Sequence, residues 1–444
     1  MFEARLAEIT QVLTDPDLTA AYTTDFTRRF SGAARAVVRP GTVAEVAGVV
    51  GLCAAEGVPI VPQGGNTGLV GGGVPTGGEV VLSLRRLDAL GPVDVAGMQV
   101  TAGAGVVLAD LQSHVRAAGL DFGVDFAARS SATVGGMIAT NAGGERVLRH
   151  GTTRASVVGL EAVLADGGIT SRLSGLPKDN TGFELPFAGS EGILGIITAA
   201  RLRLVPLLAA RSTALLALDD LDAALAALGV LRALGTLEAA EFFLPAGLRL
   251  VCEHTGLPLP FDRPYGLYLL VECAARTDPG PDLMDALASL DVLREAVVGV
   301  DATDRHRLWT YREAHTEAIS ARGVVLKLDI ALPLTELTGF LAALDGRTGP
   351  CEAYHFGHLA EGNVHVNLIG VSEPEVVTNS VLRAVSEAGG SISAEHGVGR
   401  AKARWLHLSR SPAELSALRA VKRALDPAGI LNPGCLLPPN SGDR

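Results

Sequence analysis

Residues 62–73 read Pro-Gln-Gly-Gly-Asn-Thr-Gly-Leu-Val-Gly-Gly-Gly, with six glycines in the ten positions 64–73, directly after the apolar run Val58–Val61. Glycine at that density removes the Cβ atoms that would hold a ligand away from the main chain. It also admits the positive φ angles that turn several N–H groups toward one point, the geometry of an anion nest. No lysine follows, so the segment is not a nucleoside-triphosphate loop. Gly103-Ala104-Gly105 matches only the beginning of a dinucleotide fingerprint, which disfavours a nicotinamide site. A single glycine-rich loop is more often a mobile connector than a site. Two further small-residue segments, 131–144 and 189–198, shift that balance toward one extended ligand with its diphosphate on the first loop.

The chain has 444 residues, too many for one core and suited to two or three domains. Its first 205 residues alternate strand-like runs with short helical patterns. Ala36–Arg39 reads as a strand, and Thr42-Val43-Ala44-Glu45 as a capping box in which hydroxyl and carboxylate reciprocally satisfy helix-start N–H groups. Val43, Val46, Val50 and Cys53 give a helical stripe stopped by Gly57, and Val58–Val61 completes a β-α-β unit. Later strands are expected at 79–84, 99–102, 157–165 and 196–205. After Pro206 the chain becomes Ala/Leu-rich, and 207–238 suits an amphipathic helix opening a second domain. Residues 239–350 read as an α+β mixture, with strands near 266–273 and 323–332 and helices near 281–293 and 304–319. A last helix falls at about 412–425.

Hydrophobic residues make up 48% and charged residues 19%, so sizeable cores can form. The net charge of −11 with no basic block argues against nucleic acid as a partner. Five scattered cysteines without a C-x-x-C pair suggest neither a disulfide framework nor a thiolate zinc site, and fit a reducing cytoplasm. The N-terminal residues carry acids where a signal peptide needs bases. No uncharged apolar stretch approaches the ~20 residues of a transmembrane segment. The expectation is a soluble, cytoplasmic protein.

Three of the ten histidines fall in Tyr-His-Phe-Gly-His-Leu-Ala-Glu-Gly-Asn-Val-His-Val-Asn, residues 354–367. Gly362-Asn363 is a hairpin-type turn signal that can fold His358 back toward His365. On the run 364–368, His365 and Asn367 share one face. Glu395-His396 follows in a turn-rich stretch. Two imidazoles and a carboxylate with an open position form a catalytic metal site to which zinc is suited; satisfied polar residues in unrelated loops are the alternative. His306, His315 and His407 fall on helix surfaces as solvated or packed residues. Lys327 sits in the apolar strand Val324–Ile330, where an ammonium needs an anion, an internal partner such as Asp329, or a route to water. Arg312 and Thr316 share a helix face at i, i+4 spacing.

Pro62-Gln63-Gly64-Gly65-Asn66-Thr67-Gly68, Ala139-Thr140-Asn141-Ala142-Gly143-Gly144 and Gly192–Thr198 resemble the FAD-binding domain of the vanillyl-alcohol oxidase / p-cresol methylhydroxylase superfamily. Within it, the chain is most similar to the group of D-2-hydroxyglutarate dehydrogenases, D-lactate dehydrogenases and the FAD-binding chain of glycolate oxidase, over roughly residues 20 to 437. The resemblance implies an α+β chain: a two-subdomain FAD-binding fold of the p-cresol methylhydroxylase type at 1–206, an α+β substrate (cap) domain with a metal site at 207–408, and a helical C-terminal segment at 409–444. It implies FAD against Pro62, Gly64, Gly65, Asn66, Thr67 and Gly68, with Ser131, Thr133, Gly135, Gly136 and Asn141 beside the ring, and Gly192, Ile197 and Asn432 completing the site. Residues 62–73 contain no His or Cys and the ring segment no Cys, so the FAD is expected to be non-covalent. Ala127 and Ser130 stand where relatives often carry glycine.

The pattern G-H-x-x-x-G-N-x-H-x-N followed by E-H-G implies His358, His365 and Glu395 as ligands of a divalent metal, zinc by preference, and His396 as the base. Ala360-Glu361 replaces the group's common Gly-Asp pair. Arg312, Thr316, Lys327 and Asn367 would bind substrate. The implied reaction takes a D-2-hydroxyacid, D-2-hydroxyglutarate or D-lactate, to the 2-keto acid, with hydride passing to flavin N5. The electron acceptor stays open among an electron-transfer flavoprotein, a quinone and a partner subunit, and a homodimer is possible. A glycolate-oxidase-type FAD subunit that acts only in a complex is the alternative.

Overall fold

The protein is described from a computed structural model that covers residues 1–176, 178–181 and 186–438. Its contacts divide the chain into two units. The first comprises Met1–Gly144, Gly151–Leu207 and Glu395–Arg444, and the second Glu145–His150 and Leu208–Ala394. The expected division at 206 and 408 treats the chain as consecutive blocks. In the structure the described residues from 395 to 438 rejoin the first unit, where Leu431 pairs in parallel with Ile60. Glu395 and His396, expected in the substrate domain, therefore fall in the first unit. A sequence pattern marks an element but not the element it will pack on.

Besides the two-stranded pair Leu120–Asp121 with Val205–Pro206, two four-stranded sheets build the first unit. In one, Gln11–Leu13, Ala34–Arg39, Glu79–Ser83 and Ile60–Gln63 lie side by side in that order. The expected β-α-β unit is thus opened by a third strand: Ala34–Arg39 and Ile60–Gln63 each pair in parallel with Glu79–Ser83. The helix Val43–Glu56 starts where Thr42 accepts the Glu45 N–H at 3.2 Å and stops at Gly57, φ 64°. The cap is less reciprocal than expected. The Glu45 carboxylate accepts from Gly41 N and Thr10 Oγ1. The second sheet is antiparallel, in the order Gln99–Gly103, Ile196–Arg203, Val157–Val163, Ile169–Arg172. Each sheet has its own apolar core, one around Val38, Val50 and Leu82 and the other around Leu111, Phe122 and Ile138.

The second unit is a seven-stranded antiparallel sheet in the order Glu295–Val298, Ala210–Leu218, Leu267–Ala275, Leu237–Phe243, Glu352–His358, Asn363–Ile369, Val325–Ala331. This corrects the helix expected over 207–238, which holds a strand at Ala210–Leu218 and a helix only at Leu221–Arg232. Seven consecutive residues of that strand, Ser212–Leu218, are buried. A strand covered on both faces reads as an unbroken apolar run and loses its period-2 signal. The expected helix at 304–319 is two, Ala302–Glu313 and His315–Arg322, joined at Ala314. Together with Pro245–Thr255 they supply Leu248, Tyr311 and Ile319 to a core that includes Phe243, Leu270 and Phe356 of the sheet.

Candidate active site

The three small-residue segments meet within the first unit. A Cβ on Gly65 would stand 2.0 Å from the Ser131 carbonyl oxygen, one on Gly64 2.3 Å from Thr133 Oγ1, and one on Gly192 2.4 Å from Pro62 Cγ. Gly135 is similarly pressed on Ala104, while a Cβ on Gly68 would meet nothing within 4 Å. The loops are therefore held together by main-chain approach at some glycines and left open at others. Inside this cradle the Thr133 and Ser190 hydroxyls are buried without a hydrogen-bond partner among the described residues. Native proteins rarely leave such groups unsatisfied. Open main chain and unmatched hydroxyls fit a polar ligand such as FAD. Ile197 differs from its neighbours in the expected set: its side chain lies in the apolar core.

Three expected cofactor residues shape the cradle itself. Asn66, Asn141 and Asn432 have φ of 55°, 53° and 41°, a region that asparagine tolerates better than most residues. Asn66 Nδ2 donates to Thr24 O at 2.8 Å, Asn141 Oδ1 accepts from Arg154 N at 3.0 Å, and Asn432 Nδ2 donates to Glu191 O at 2.8 Å. Glu191 is buried, and its carboxylate accepts from Val398 N and Gly399 N, each at 2.7 Å. Burial pushes its pKa up. At the other end of that loop, Glu395 Oε2 accepts from Gly144 N at 3.0 Å, and His396 Nε2 lies 3.6 Å from Glu395 Oε1. Residues 395–399 are thus tied to the second and third small-residue segments.

In the second unit, strand register assembles a polar face. His358 pairs with Asn363 across the hairpin, Phe356 with His365, Asp329 with His365, and Lys327 with Asn367. Paired residues and their i±2 neighbours share a face, so His358, His365, Asn367, Asp329 and Lys327 all project from one side. The turn brings the imidazoles of His358 and His365 to a centroid separation of 5.4 Å. Gly362 makes it possible with φ 66°: a Cβ there would meet Leu332 O at 2.0 Å.

Each imidazole is backed by a buried carboxylate. His358 Nδ1 lies 2.6 Å from Glu241 Oε1, and His365 Nδ1 lies 3.5 Å from Asp329 Oδ1. Asp329 is itself held by Asn363 Nδ2 and the Ala394 N–H. With its Nδ1 bonded to Glu241, His358 would offer a metal its Nε2, the arrangement in which metal-ligating histidines are commonly found; the His365–Asp329 approach is a longer contact that is not a hydrogen bond. The donor chemistry fits a divalent ion. Asn367 uses its amide on Tyr354 O and His365 O, which fixes the strand beside His365.

Arg312 is buried, with Nη2 2.7 Å from Glu241 Oε2 and its guanidinium 4.6 Å above the Phe356 ring. Its Nε has no hydrogen-bond partner among the described residues. Lys327 Nζ donates to Ser320 Oγ at 3.3 Å, and Thr316 is exposed at the start of the next helix. Burial pushes the Glu361 carboxyl up to about 7, opposed by His358 and reinforced by Glu241. His315 is not on a surface: it is packed between Phe243 and Phe356, and burial, then Arg312, lowers its pKa to about 3. His355 faces the opposite side of the sheet, buried and lowered to about 4.

Sequence reasoning missed Glu241 as a site residue and treated Asp329 only as a partner for Lys327. The available signal for Glu241 was a strand, Leu237–Phe243, that sets two acids, Glu238 and Glu241, among apolar residues, all seven of them buried.

The chain matches the family of FAD linked oxidases, C-terminal domain, over residues 207–436 and the FAD binding domain over residues 34–171. It is 38% identical to the mitochondrial D-2-hydroxyglutarate dehydrogenase of Bos taurus, over 96% of this chain and 81% of that protein. It is 36% identical to the D-2-hydroxyglutarate dehydrogenase of Xanthomonas citri pv. viticola, over 95% and 93%. Among solved structures, substrate-bound p-cresol methylhydroxylase superposes with a TM-score of 0.79 at 18% identity, over 100% of this chain and 97% of that one. An alkyldihydroxyacetonephosphate synthase gives 0.74 at 17% identity, over 95% and 82%. The expected α+β fold of the p-cresol methylhydroxylase type is thus found. No helix among the described residues is long and apolar enough to cross a membrane. By sequence along nearly its whole length and by fold, the chain belongs to the FAD-linked oxidases, in the family of the D-2-hydroxyglutarate dehydrogenases.

Proposed function

We propose that the protein oxidises a D-2-hydroxyacid, D-2-hydroxyglutarate before D-lactate, to the 2-keto acid. The observation that carries this reading is the polar face of the second unit, where the imidazoles of His358 and His365, each near a buried carboxylate, share a sheet with half-buried Lys327 and are joined by buried Arg312 from the helix Ala302–Glu313. When bound, FAD supplies a two-electron acceptor, and a divalent cation, zinc in this reading, supplies positive charge for the alcohol oxygen. Gly64–Gly68, Ser131, Thr133, Gly135, Gly136, Gly192 and the main chain near Ile197 would hold the FAD without a covalent bond. His358, His365 and Glu395 would hold the cation.

His396 would take the hydroxyl proton, a role worth about 10²–10⁴-fold in rate. Arg312, Thr316, Lys327 and Asn367 would hold substrate, and the planar Arg312 fork suits a carboxylate. Two cationic anchors suit a dicarboxylate better than a monocarboxylate. The electrons would leave to an electron-transfer flavoprotein, a quinone or a partner subunit. Five free cysteines are in keeping with a reducing, cytoplasmic setting.

The test is anaerobic flavin bleaching with a panel of D- and L-2-hydroxyacids, repeated after chelation. Bleaching by D-2-hydroxyglutarate, lost on chelation with FAD retained, is expected. Bleaching by none of the D-acids, or indifference to the chelator, would overturn the substrate and the metal respectively.

A further inference from the structure

Glu241 lies in a strand whose seven residues are all buried, and its own side chain is 1% exposed. An ionised carboxylate in such a place is costly unless charged or hydrogen-bonded partners surround it. Its two oxygens face different elements. Oε1 lies 2.6 Å from His358 Nδ1 on the neighbouring strand, and Oε2 lies 2.7 Å from Arg312 Nη2 on the helix Ala302–Glu313. Glu241 and His358 are directly paired in the ladder, as are Phe243 and Phe356, so the main chains set the first contact. Phe356 in turn lies under the Arg312 guanidinium.

We propose that Glu241 is a positioning residue that orients a metal ligand and a substrate anchor at once. This rests on the reading of His358 as ligand and Arg312 as carboxylate anchor. Accepting the Nδ1–H fixes His358 in the tautomer whose Nε2 carries the lone pair, and fixes the plane of the ring. The ion pair of Nη2 with Oε2, 2.7 Å apart but not aligned as a hydrogen bond, holds one edge of the Arg312 fork by charge, while Nε keeps an unmet donor for an incoming carboxylate. A core ion pair with no such role would leave cation affinity and KM alone.

The experiment compares Glu241→Gln with wild type and with Glu238→Gln, a buried acid three residues earlier on the strand whose partners are Arg211 and His150. Cobalt(II) affinity of the FAD-loaded protein is measured by competition with a chromophoric chelator, and KM and kcat with D-2-hydroxyglutarate. Glu241→Gln is expected to weaken cobalt binding about 10–100-fold and to raise KM, with FAD content unchanged; Glu238→Gln should leave cobalt affinity unchanged. Equal cobalt affinity and equal KM in Glu241→Gln would overturn the inference. Should that variant fail to fold, Glu241→Asp keeps the charge but withdraws it by one methylene. A smaller loss in both readouts is expected there, and none would overturn the inference. Wild type that binds no cobalt, or binds it equally after His358→Ala, would instead overturn the proposed function.

Discussion

The two units hold polar groups in place by opposite means. In the first, the cradle is shaped where side chains are missing: main chain meets main chain at Gly65 and side-chain volume is excluded at Gly64 and Gly192. In the second, the face is shaped by side chains set in ladder register, with Glu241 and Asp329 behind His358 and His365. The contrast teaches where each unit is fragile. A cradle made by absence fails when an atom is added, whereas a face made by presence fails when a charge or a donor is removed.

Adding one methyl group should give the largest effect. Gly65→Ala puts a carbon 2.0 Å from the Ser131 carbonyl, which must shift, so the purified protein should be essentially colourless in the visible flavin band. Gly68→Ala meets nothing within 4 Å of protein and should fold normally. Flavin loss in that variant with fold intact would locate the cofactor against Gly68, and full colour in both variants would break the comparison.

Removing a side chain should act differently. His396→Ala should leave the flavin bound while substrate bleaching slows about 10²–10⁴-fold. Stopped-flow absorbance checks it, and bleaching at the wild-type rate would remove His396 as the base.

His396 and Glu191 both belong to the first unit, so that unit too has groups held by presence, which sharpens the contrast. Glu191→Gln leaves one of the Val398 and Gly399 N–H groups facing an amide NH₂, a buried mismatch worth about 1–3 kcal/mol. Urea unfolding should show that loss, and an unchanged midpoint would mean the loop holds without it.

An effect absent at neutral pH and confined to the acid range comes from His315, whose pKa is about 3 when folded against an ordinary 6.5. The unfolded chain binds the proton first, so the stability from the neutral buried ring is complete above pH 6.5 and is lost as pH falls toward 3. The slope is at most about 1.4 kcal/mol per pH unit. His315→Leu should flatten that acid limb in thermal midpoints taken from neutral pH down to about pH 4; an unaltered slope would assign it to other groups.

How much of this was legible beforehand differed between the units for a physical reason. The glycine segments announced a cradle because lack of a Cβ is a property of the residue itself. The hairpin that joins His358 to His365 was equally local, signalled by Gly362-Asn363. Glu241 was not legible, since its partners His358 and Arg312 lie far along the chain and only strand order makes them neighbours. The strand Ala210–Leu218 was misread as helix because burial on both faces erased the alternation that would have marked it.

The sequence by itself determined the kind of chemistry: small residues where a ligand must approach main chain, imidazoles and a carboxylate with ligand spacing, and acids and bases in apolar runs that demand a partner. Tertiary structure decided which partner each one received, and that Glu395 and His396 are held by the unit that contains the glycine loops. Local patterns follow from covalent geometry and side-chain type within a few residues. Pairing between distant segments follows from burial shared across the fold, which no single stretch of chain records.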